Sequence, residues 1–382
     1  MTPNFPPIRT APAAAGLRAE LRAFFASSVK GMTPARRARS WSGWDEEFSR
    51  ALGQRGWIGM TWPEELGGRG ASQLERYAVV EELLAAGAPV AAHWIADRQS
   101  GALLLRYGNE ALKADMLPRI AAGELYFCIG MSEPGAGSDL ASLRTRATAT
   151  EGGWRVNGSK IWTTHAQHCH YMIALVRTGA DAGDDRHAGF SQLVIELASP
   201  GVTVRPIEDQ TGDAHFCEIF LDDVFVPAEQ LLGQEGEGWN QVTAELALER
   251  SGPERFLSSH VLIEQLLATL CDQPGNTLTA LTGAWAAELW TLRQMSLAVA
   301  AKLESGENPM IEASIVKDLG ARFEQSVPRD LQAAYDDDAW GHDDGDLRET
   351  LSYLTAASPS FSLRGGTREI LRGIIARGLG LR

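Results

Sequence analysis

Apolar and polar positions along this chain change their spacing twice. In the first part, apolar residues recur three and four positions apart, which is typical of helices with one buried face. From about residue 124 they come in short alternating runs broken by Gly, Pro and Asp, as in strands, and from residue 239 the helical spacing returns. The helical examples are Leu17, Leu21, Phe24 and Phe25, and Tyr77, Val80, Leu83 and Leu84; the strand-like examples are 171–176, 191–197 and 202–206.

This pattern predicts an α+β chain in three parts. We expect an N-terminal helical domain over 1–123, a central β domain over 124–238 and a C-terminal helix bundle over 239–382. A chain of 382 residues is long enough to form substantial cores in such an arrangement.

The predicted β domain contains a polar, glycine-rich segment at 130–142, which reads Gly-Met-Ser-Glu-Pro-Gly-Ala-Gly-Ser-Asp-Leu-Ala-Ser. Its closely spaced backbone N–H groups and the hydroxyl of Ser138 suit a diphosphate or another anion. A glycine-rich loop taken alone is usually only a turn, so this segment is informative only in combination with a second one.

A second polar block, at 157–164, reads Asn-Gly-Ser-Lys-Ile-Trp-Thr-Thr. The residues before it predict a strand over 144–150, a turn at 151–153 and the next strand at 154–156. Two strands would then hold the two polar blocks at neighbouring ends of one sheet. In the second block an indole stands beside two hydroxyls, which suits a flat heteroaromatic ring with polar edges, such as a flavin. Asn-Gly alone is a common hairpin signal.

In this order and at this spacing, the two blocks resemble those of the acyl-CoA dehydrogenase family, in which both lie against a bound FAD. The phrases at 59–68 and 225–227 and the order of helices, β domain and helix bundle are also similar to that family. The resemblance implies FAD as the cofactor, and Ser138 near the diphosphate or the CoA. The cofactor-binding residues that it implies are Met131, Ser132, Gly137, Ser138, Trp162, Thr163, Thr164, Thr367 and Glu369.

The expected reaction requires a protein base. Dehydrogenating a saturated thioester removes a hydride from Cβ, which a flavin accepts, and a proton from Cα, which a side chain must accept. In many members of the family this base is a Glu in a Glu-Gly-Thr phrase near the C-terminus. Here the phrase reads Gly365-Gly366-Thr367, and Gly365 cannot accept a proton.

Glu249 is the candidate base. It extends the apolar stripe of Val242 and Leu246, and a carboxylate on an apolar face is partly desolvated, which raises its pKa and suits a general base. Some members of the family, including isovaleryl-CoA-type members, place the catalytic Glu on this helix immediately before an Arg, as in Glu249-Arg250. The resemblance implies that Arg250 shapes the substrate end of the helix and that Gly366 contacts the thioester.

The alternative for Glu249 is a structural ion pair with Arg250 or Arg255, because buried acids are usually paired. No metal site is predicted. His165, His168 and His170 have no second cluster with ligand spacing, so they are interpreted as a polar rim. The acidic stretch at 336–346 lacks the alternation of a calcium loop and is interpreted as a solvated loop.

Composition narrows the function further. With 49 acidic and 35 basic residues the net charge is −14, which argues against a nucleic-acid partner. No apolar run reaches membrane-spanning length, and the N-terminus lacks a secretory apolar core. The four scattered cysteines are interpreted as reduced thiols of a cytoplasmic protein.

Together these features predict an FAD-dependent acyl-CoA dehydrogenase that forms an α,β-double bond in a CoA thioester and passes electrons to electron-transfer flavoprotein. Three alternatives stay open. They are a catalytically silent partner subunit, which the glycine at 365 favours, a flavin monooxygenase on the same fold, and a CoA-binding scaffold.

We predict assembly with another chain from two differences between this sequence and the family pattern, and from one apolar stripe. The family's Arg-x-x-Phe-Gly and Gly-Gly-x-Gly phrases are not recognisable, which resembles members that act on bulky thioesters, such as steroid side chains, and often assemble from two different chains. We expect the C-terminal helices to be buried against another chain, in a homo-oligomer or an α2β2 assembly with a related subunit. The stripe comprises Leu363, Ile370, Leu371, Ile374 and Ile375.

Overall fold

The computed structural model describes residues 3–8, 12–179, 185–242, 250, 252–272, 276–337 and 345–381. The α+β fold predicted from the sequence is confirmed, with helices before and after a central sheet. The chain forms two compact units. The helical unit comprises Met1–Gly43, Ser72–Pro89 and Ala247–Arg382, and the sheet unit comprises Trp44–Ala71 and Val90–Leu246. The domain boundaries drawn at 123 and 238 stay a prediction.

The helices follow the predicted apolar spacing, and both N-terminal stripes lie on helices (α1 and α4). Residues 238–242 are also helical, and a π-helix at Ala96–Ser100 joins α5 to α6. No described helix combines the length and the apolar character needed to cross a membrane. In chain order the helices are α1 (Pro12–Ser28), α2 (Pro34–Ala38), α3 (Glu46–Gly53), α4 (Gln73–Ala85), α5 (Ala91–Ile95), α6 (Gly101–Tyr107), α7 (Glu110–Ala121), α8 (His260–Asp272), α9 (Asn276–Glu304), α10 (Met310–Asp337), α11 (Gly345–Ala357) and α12 (Arg368–Gly378).

Within the helical unit, α4 packs against α1 and α9. Its Glu81 and Glu82 are largely buried, and each is paired: Arg18 of α1 lies 2.6 Å from Glu81 and 2.7 Å from Glu82. Arg293 of α9 also binds Glu81, at 2.6 Å. Buried carboxylates need such partners, because an unpaired buried charge is strongly destabilising. These pairs therefore fix how the three helices pack.

The sheet unit is built on one eight-stranded sheet with the order β6-β7-β3-β2-β4-β5-β8, and β1 pairs with β4 in parallel. Cys217, Ile219 and Leu221 of β7 alternate with less buried residues and face the sheet's apolar core. The strands are β1 (Phe127–Gly130), β2 (Arg146–Thr150), β3 (Gly153–Thr164), β4 (Tyr171–Arg177), β5 (Phe190–Glu196), β6 (Val202–Ile207), β7 (Phe216–Pro227) and β8 (Leu231–Leu232).

The second polar block differs from its prediction, because it belongs to strand β3 and does not follow a strand. The turn predicted at 151–153 is confirmed, because Glu151 and Gly152 form the hairpin turn between β2 and β3. Asn157 and Gly158 instead occupy a β-bulge, where the pairing with β7 shifts. Gly158 has φ +148°, and a Cβ there would lie 2.5 Å from Thr145 Oγ1, so the position requires glycine.

Candidate functional site

A buried ion pair joins the two polar blocks. Lys160 of β3 is fully buried, and its Nζ donates to Glu133 Oε1 at 2.8 Å and to the carbonyl oxygen of Met131 at 3.2 Å. One residue further along β3, the N–H of Ile161 donates to the carbonyl oxygen of Ser132 at 2.9 Å. The structure therefore places Met131 and Ser132 directly beside β3.

Glu133 organises the loop that carries the first block. Its carboxylate also accepts from the N–H groups of Arg144 at 2.6 Å and Thr145 at 2.9 Å. Burial alone would raise the pKa of Glu133, but the charge and hydrogen bond of Lys160 and the bonds from Thr145 and Arg144 hold this pKa below its ordinary value. Burial lowers the pKa of Lys160 to about 8 against the opposing effect of Glu133.

Trp162 lies at a second bulge of β3, between Lys160 and Thr163. Its φ of +60° is left-handed, which is strained for a bulky residue. The indole is 56% exposed and makes an edge contact with Phe216 at 5.9 Å between ring centroids. A large apolar ring held out by a strained backbone is a feature that sheet packing does not explain, and such strain clusters at ligand sites.

The neighbouring hydroxyls differ in their surroundings. Thr163 is fully buried, and its Oγ1 has no hydrogen-bond partner among the described residues. Thr164 is half-buried. In the first block, Gly137 and Ser138 are exposed, and a Cβ on Gly137 would meet no described atom within 4 Å. The exposed indole, the unsatisfied buried hydroxyl and the open glycine fit a large flat ligand with polar edges and an anionic tail.

The C-terminal candidates lie in the helical unit. Thr367 is the N-cap of α12, and its Oγ1 accepts from the N–H of Ile370 at 3.5 Å. Glu369 is exposed in the first turn of α12, and hydrogen bonds from its own backbone N–H and the Thr367 side chain lower its pKa. Glu249 lies outside the described residues.

Arginines surround the glycines that replace the family's Glu-Gly phrase. Gly365 and Gly366 have φ values of +69° and +96°. Arg250 is buried and donates through Nε to the carbonyl oxygen of Gly365 at 3.3 Å. Its Nη2 lies 3.5 Å from where a Cβ on Gly366 would be, so two of the three predicted substrate residues, Arg250 and Gly366, lie close together. The guanidinium of Arg255 lies 2.9 Å from where a Cβ on Gly365 would be.

Sequence reasoning missed the roles of Lys160 and Glu133, and it named Arg255 only as an alternative ion-pair partner of Glu249. The signal available for the first two was the only base of the second block, Lys160, and one of the two acids of the first, Glu133. For Arg255 the signal was a charged pair, Glu254-Arg255, just before two apolar residues. Both residues of that pair are about 1% exposed. These residues act across long separations in sequence, which local patterns do not reveal.

The three histidines that follow the second block lie beside aromatic residues. The rings of His165 and His168 lie 5.2 and 5.0 Å from that of Trp44, and His170 Nδ1 accepts from the N–H of Tyr126 at 3.1 Å. His165 is buried, whereas His168 and His170 are exposed. Within the described ranges, no three His, Cys, Asp or Glu residues form a group that could hold a metal ion.

Comparisons with known proteins agree with this fold and these blocks. Residues 12–124 match the model of the acyl-CoA dehydrogenase N-terminal domain, and residues 128–224 match that of the middle domain. Acyl-CoA dehydrogenase IpdE1 of Mycobacterium tuberculosis is 33% identical, over 95% of this chain and 97% of the relative. The chain belongs to the acyl-CoA dehydrogenase family, and it is an oxidoreductase of that family.

Two solved structures are also similar. A steroid acyl-CoA dehydrogenase, Tcur3481-Tcur3483, is 28% identical with a TM-score of 0.87, covering 98% of this chain and 99% of the other. The ChsE4-ChsE5 complex from Mycobacterium tuberculosis is 29% identical with a TM-score of 0.83, again covering 98% of this chain and 99% of the other. Both names denote assemblies of two different proteins.

Proposed function

We propose that this protein is an FAD-dependent dehydrogenase of CoA thioesters that forms an α,β-double bond and passes the electrons to electron-transfer flavoprotein. The observation that carries the proposal is the exposed indole of Trp162 on its left-handed bulge, tied through Lys160 to the first polar block. FAD, when bound, supplies the hydride acceptor.

The roles of the sheet-unit residues follow from their chemistry. Trp162 would cover the flavin ring, and Thr164 would hydrogen-bond its edge near the reactive nitrogen. Met131 and Ser132 would approach the pyrimidine side, and Ser138 would hold the diphosphate or the CoA. In the assembled protein, Thr163, Gly137, Thr367 and Glu369 would add further contacts to an FAD.

Placement of the flavin is tested by replacing the ring and the hydroxyl together. Trp162→Ala/Thr164→Ala should lower flavin occupancy or shift the visible spectrum, because stacking and an edge hydrogen bond are both lost. Phe225→Ala is the matched control, since that aromatic ring is 40% exposed on β7 of the same sheet and has no proposed role at the flavin. A folded double variant with full occupancy and an unchanged spectrum would show that the ring binds elsewhere.

For the chemical step, we propose that Glu249 removes the proton from Cα, with Arg250 shaping the substrate end and Gly366 offering backbone contacts to the thioester. The purified chain should bleach its flavin when a suitable acyl-CoA is added without oxygen. Glu249→Gln should keep the flavin but bleach more slowly by roughly 10²–10⁴-fold, because a positioned base contributes about that much.

The exposed Glu235 supplies the control, as Glu235→Gln removes a carboxylate that lies earlier in the sequence and has no proposed role, and it should leave bleaching unchanged. Near-normal bleaching in Glu249→Gln would assign the proton to another group. A wild-type chain that carries no flavin would overturn the proposed function as a whole.

A silent partner subunit is the second candidate, and one observation favours it. The position that holds a Glu in many relatives is Gly365 here, with a left-handed backbone and the Arg255 guanidinium alongside. A chain that binds FAD or CoA, yet never bleaches with any acyl-CoA until a related subunit is added, would establish this alternative.

We also propose a bulky substrate, such as a steroid-derived thioester, and assembly with a second chain, either another copy or a related subunit in an α2β2 complex. The names of the similar structures support both points. Large exposed apolar side chains of the helical unit supply a surface for contact: Trp290, Leu363, Ile370 and Leu381. Leu371, which the sequence stripe includes, is instead buried within its own unit.

A further inference from the structure

The ion pair between Lys160 and Glu133 is more than sheet packing requires. Lysine is almost never fully buried without a partner, and here its stem and Nζ are both enclosed. At one carboxylate the pair joins three segments: β3 at Lys160, the first block at Glu133, and the two residues just before β2 through the N–H groups of Arg144 and Thr145.

Stability alone is a weak reason to keep such a pair. Replacing a buried ion pair by apolar residues of similar size is often neutral or stabilising, because desolvating two charges costs about as much as their attraction returns. An apolar pair, however, could not make the directional hydrogen bond that Lys160 makes. Lys160 Nζ donates to the Met131 carbonyl at 3.2 Å, and no apolar side chain could hold that carbonyl.

We propose that Lys160 and Glu133 are positioning residues that set the backbone of Met131 and Ser132 for the flavin ring. Lys160 acts on the Met131 carbonyl directly, and the neighbouring Ile161 N–H holds the Ser132 carbonyl. Trp162 comes two residues after Lys160 on the same strand. The buried pair therefore positions both Trp162, which would cover the flavin ring, and the backbone of Met131 and Ser132, which would approach the edge of the ring. This inference rests on the proposed function and deepens it.

The test measures flavin binding by the chain after its flavin has been removed and FAD is titrated back. Lys160→Met should raise the dissociation constant for FAD by about tenfold or more, since a charge-assisted hydrogen bond is lost. The visible spectrum of any flavin that binds should shift. Arg155→Met is the matched control, because Arg155 lies on β3 like Lys160. This change breaks only the exposed pair with Asp223 of β7, and FAD binding should stay as in wild type.

The double variant Lys160→Met/Glu133→Gln separates positioning from stability. Removing both charges leaves no uncompensated ion, so the melting temperature should return towards that of wild type, and this variant folds even if Lys160→Met does not. FAD affinity and the spectrum should not recover, because the Met131 carbonyl still lacks its donor. If they recover in step with the melting temperature, the pair is merely structural and the inference is wrong.

The outcomes also separate this inference from the proposed function. A wild-type chain that takes up no FAD overturns both. A wild-type chain that binds FAD, while Lys160→Met and the double variant bind it with equal affinity and an unchanged spectrum, overturns the positioning role alone.

Discussion

His93 is a buried titratable residue of the sheet unit that has no part in the proposed chemistry. Its Nδ1 shares a hydrogen bond with Ser49 Oγ at 2.9 Å, and burial lowers its pKa to about 4. In the unfolded chain His93 binds a proton near pH 6.5, whereas in the folded chain it stays neutral until the pH falls to about 4. The free energy of unfolding should therefore fall as the pH drops through this window, by up to about 3 kcal/mol from this residue.

Urea unfolding at a series of pH values checks this prediction. His93→Gln keeps a side chain that can bond Ser49 but cannot gain a charge, so its stability should fall less steeply than that of wild type between about pH 7 and pH 5. Parallel curves for the two proteins would show that His93 is not the group responsible.

Gly365 permits a second prediction for a single residue. Gly365→Glu introduces a carboxylate where many relatives have one, but its backbone is left-handed and its Cβ would press on Arg255. We expect a stability loss of more than about 1–2 kcal/mol, the cost of the left-handed backbone alone, and no recovery of bleaching when the change is combined with Glu249→Gln.

Gly380→Glu is the control for backbone strain, because Gly380 has φ +73° but open space around its Cβ. Thermal melting of both variants would separate the two causes. If Gly365→Glu lowers the stability no more than Gly380→Glu does, then Arg255 moves aside without a loss of stability. Bleaching by the double variant Gly365→Glu/Glu249→Gln would contradict the prediction about activity.

The two ends of strand β3 differ in role: its first residues pack in the core of the sheet, and its last residues are proposed to bind the flavin. Trp154 is 8% exposed within the apolar core, whereas Trp162 is 56% exposed on its bulge. Trp154→Gly should therefore cost about 3–5 kcal/mol or more, and Trp162→Gly far less, since glycine relieves the left-handed strain. Flavin binding, normalised to folded protein, should fail only in the second variant; equal losses of stability would contradict the division.

The same strand shows what sequence patterns can predict. The spacing of apolar residues gave correct positions for α1, α4, β4 and β5, because those patterns are local. It ended β3 too early, because Asn157-Gly158 is ordinarily a turn signal and here occupies a bulge. It also missed the ion pair of Lys160 with Glu133 and the position of the Arg255 guanidinium beside Gly365, since only the folded chain brings these residues together.

For the whole molecule, the testable property is assembly. Light scattering on the purified chain should give at least twice the mass of one chain, because isolated exposure of Trp290, Leu363 and Leu381 is unfavourable. Leu363→Asp/Leu381→Asp should reduce that mass, whereas Arg155→Met in the sheet unit should not. An active monomer would contradict assembly, and full flavin occupancy with full turnover by the chain alone would contradict a heteromeric requirement.

The left-handed backbone at Trp162 limits how this chain could adapt to heat. A bulky residue in that conformation lowers the stability of the folded chain by about 1–2 kcal/mol relative to glycine. Selection for thermal tolerance alone would favour glycine or asparagine at this position and so discard the indole. A thermostable variant that keeps the proposed activity would therefore have to retain Trp162 and gain its stability from substitutions at other positions. At position 162 the most stable residue and the residue needed for function differ.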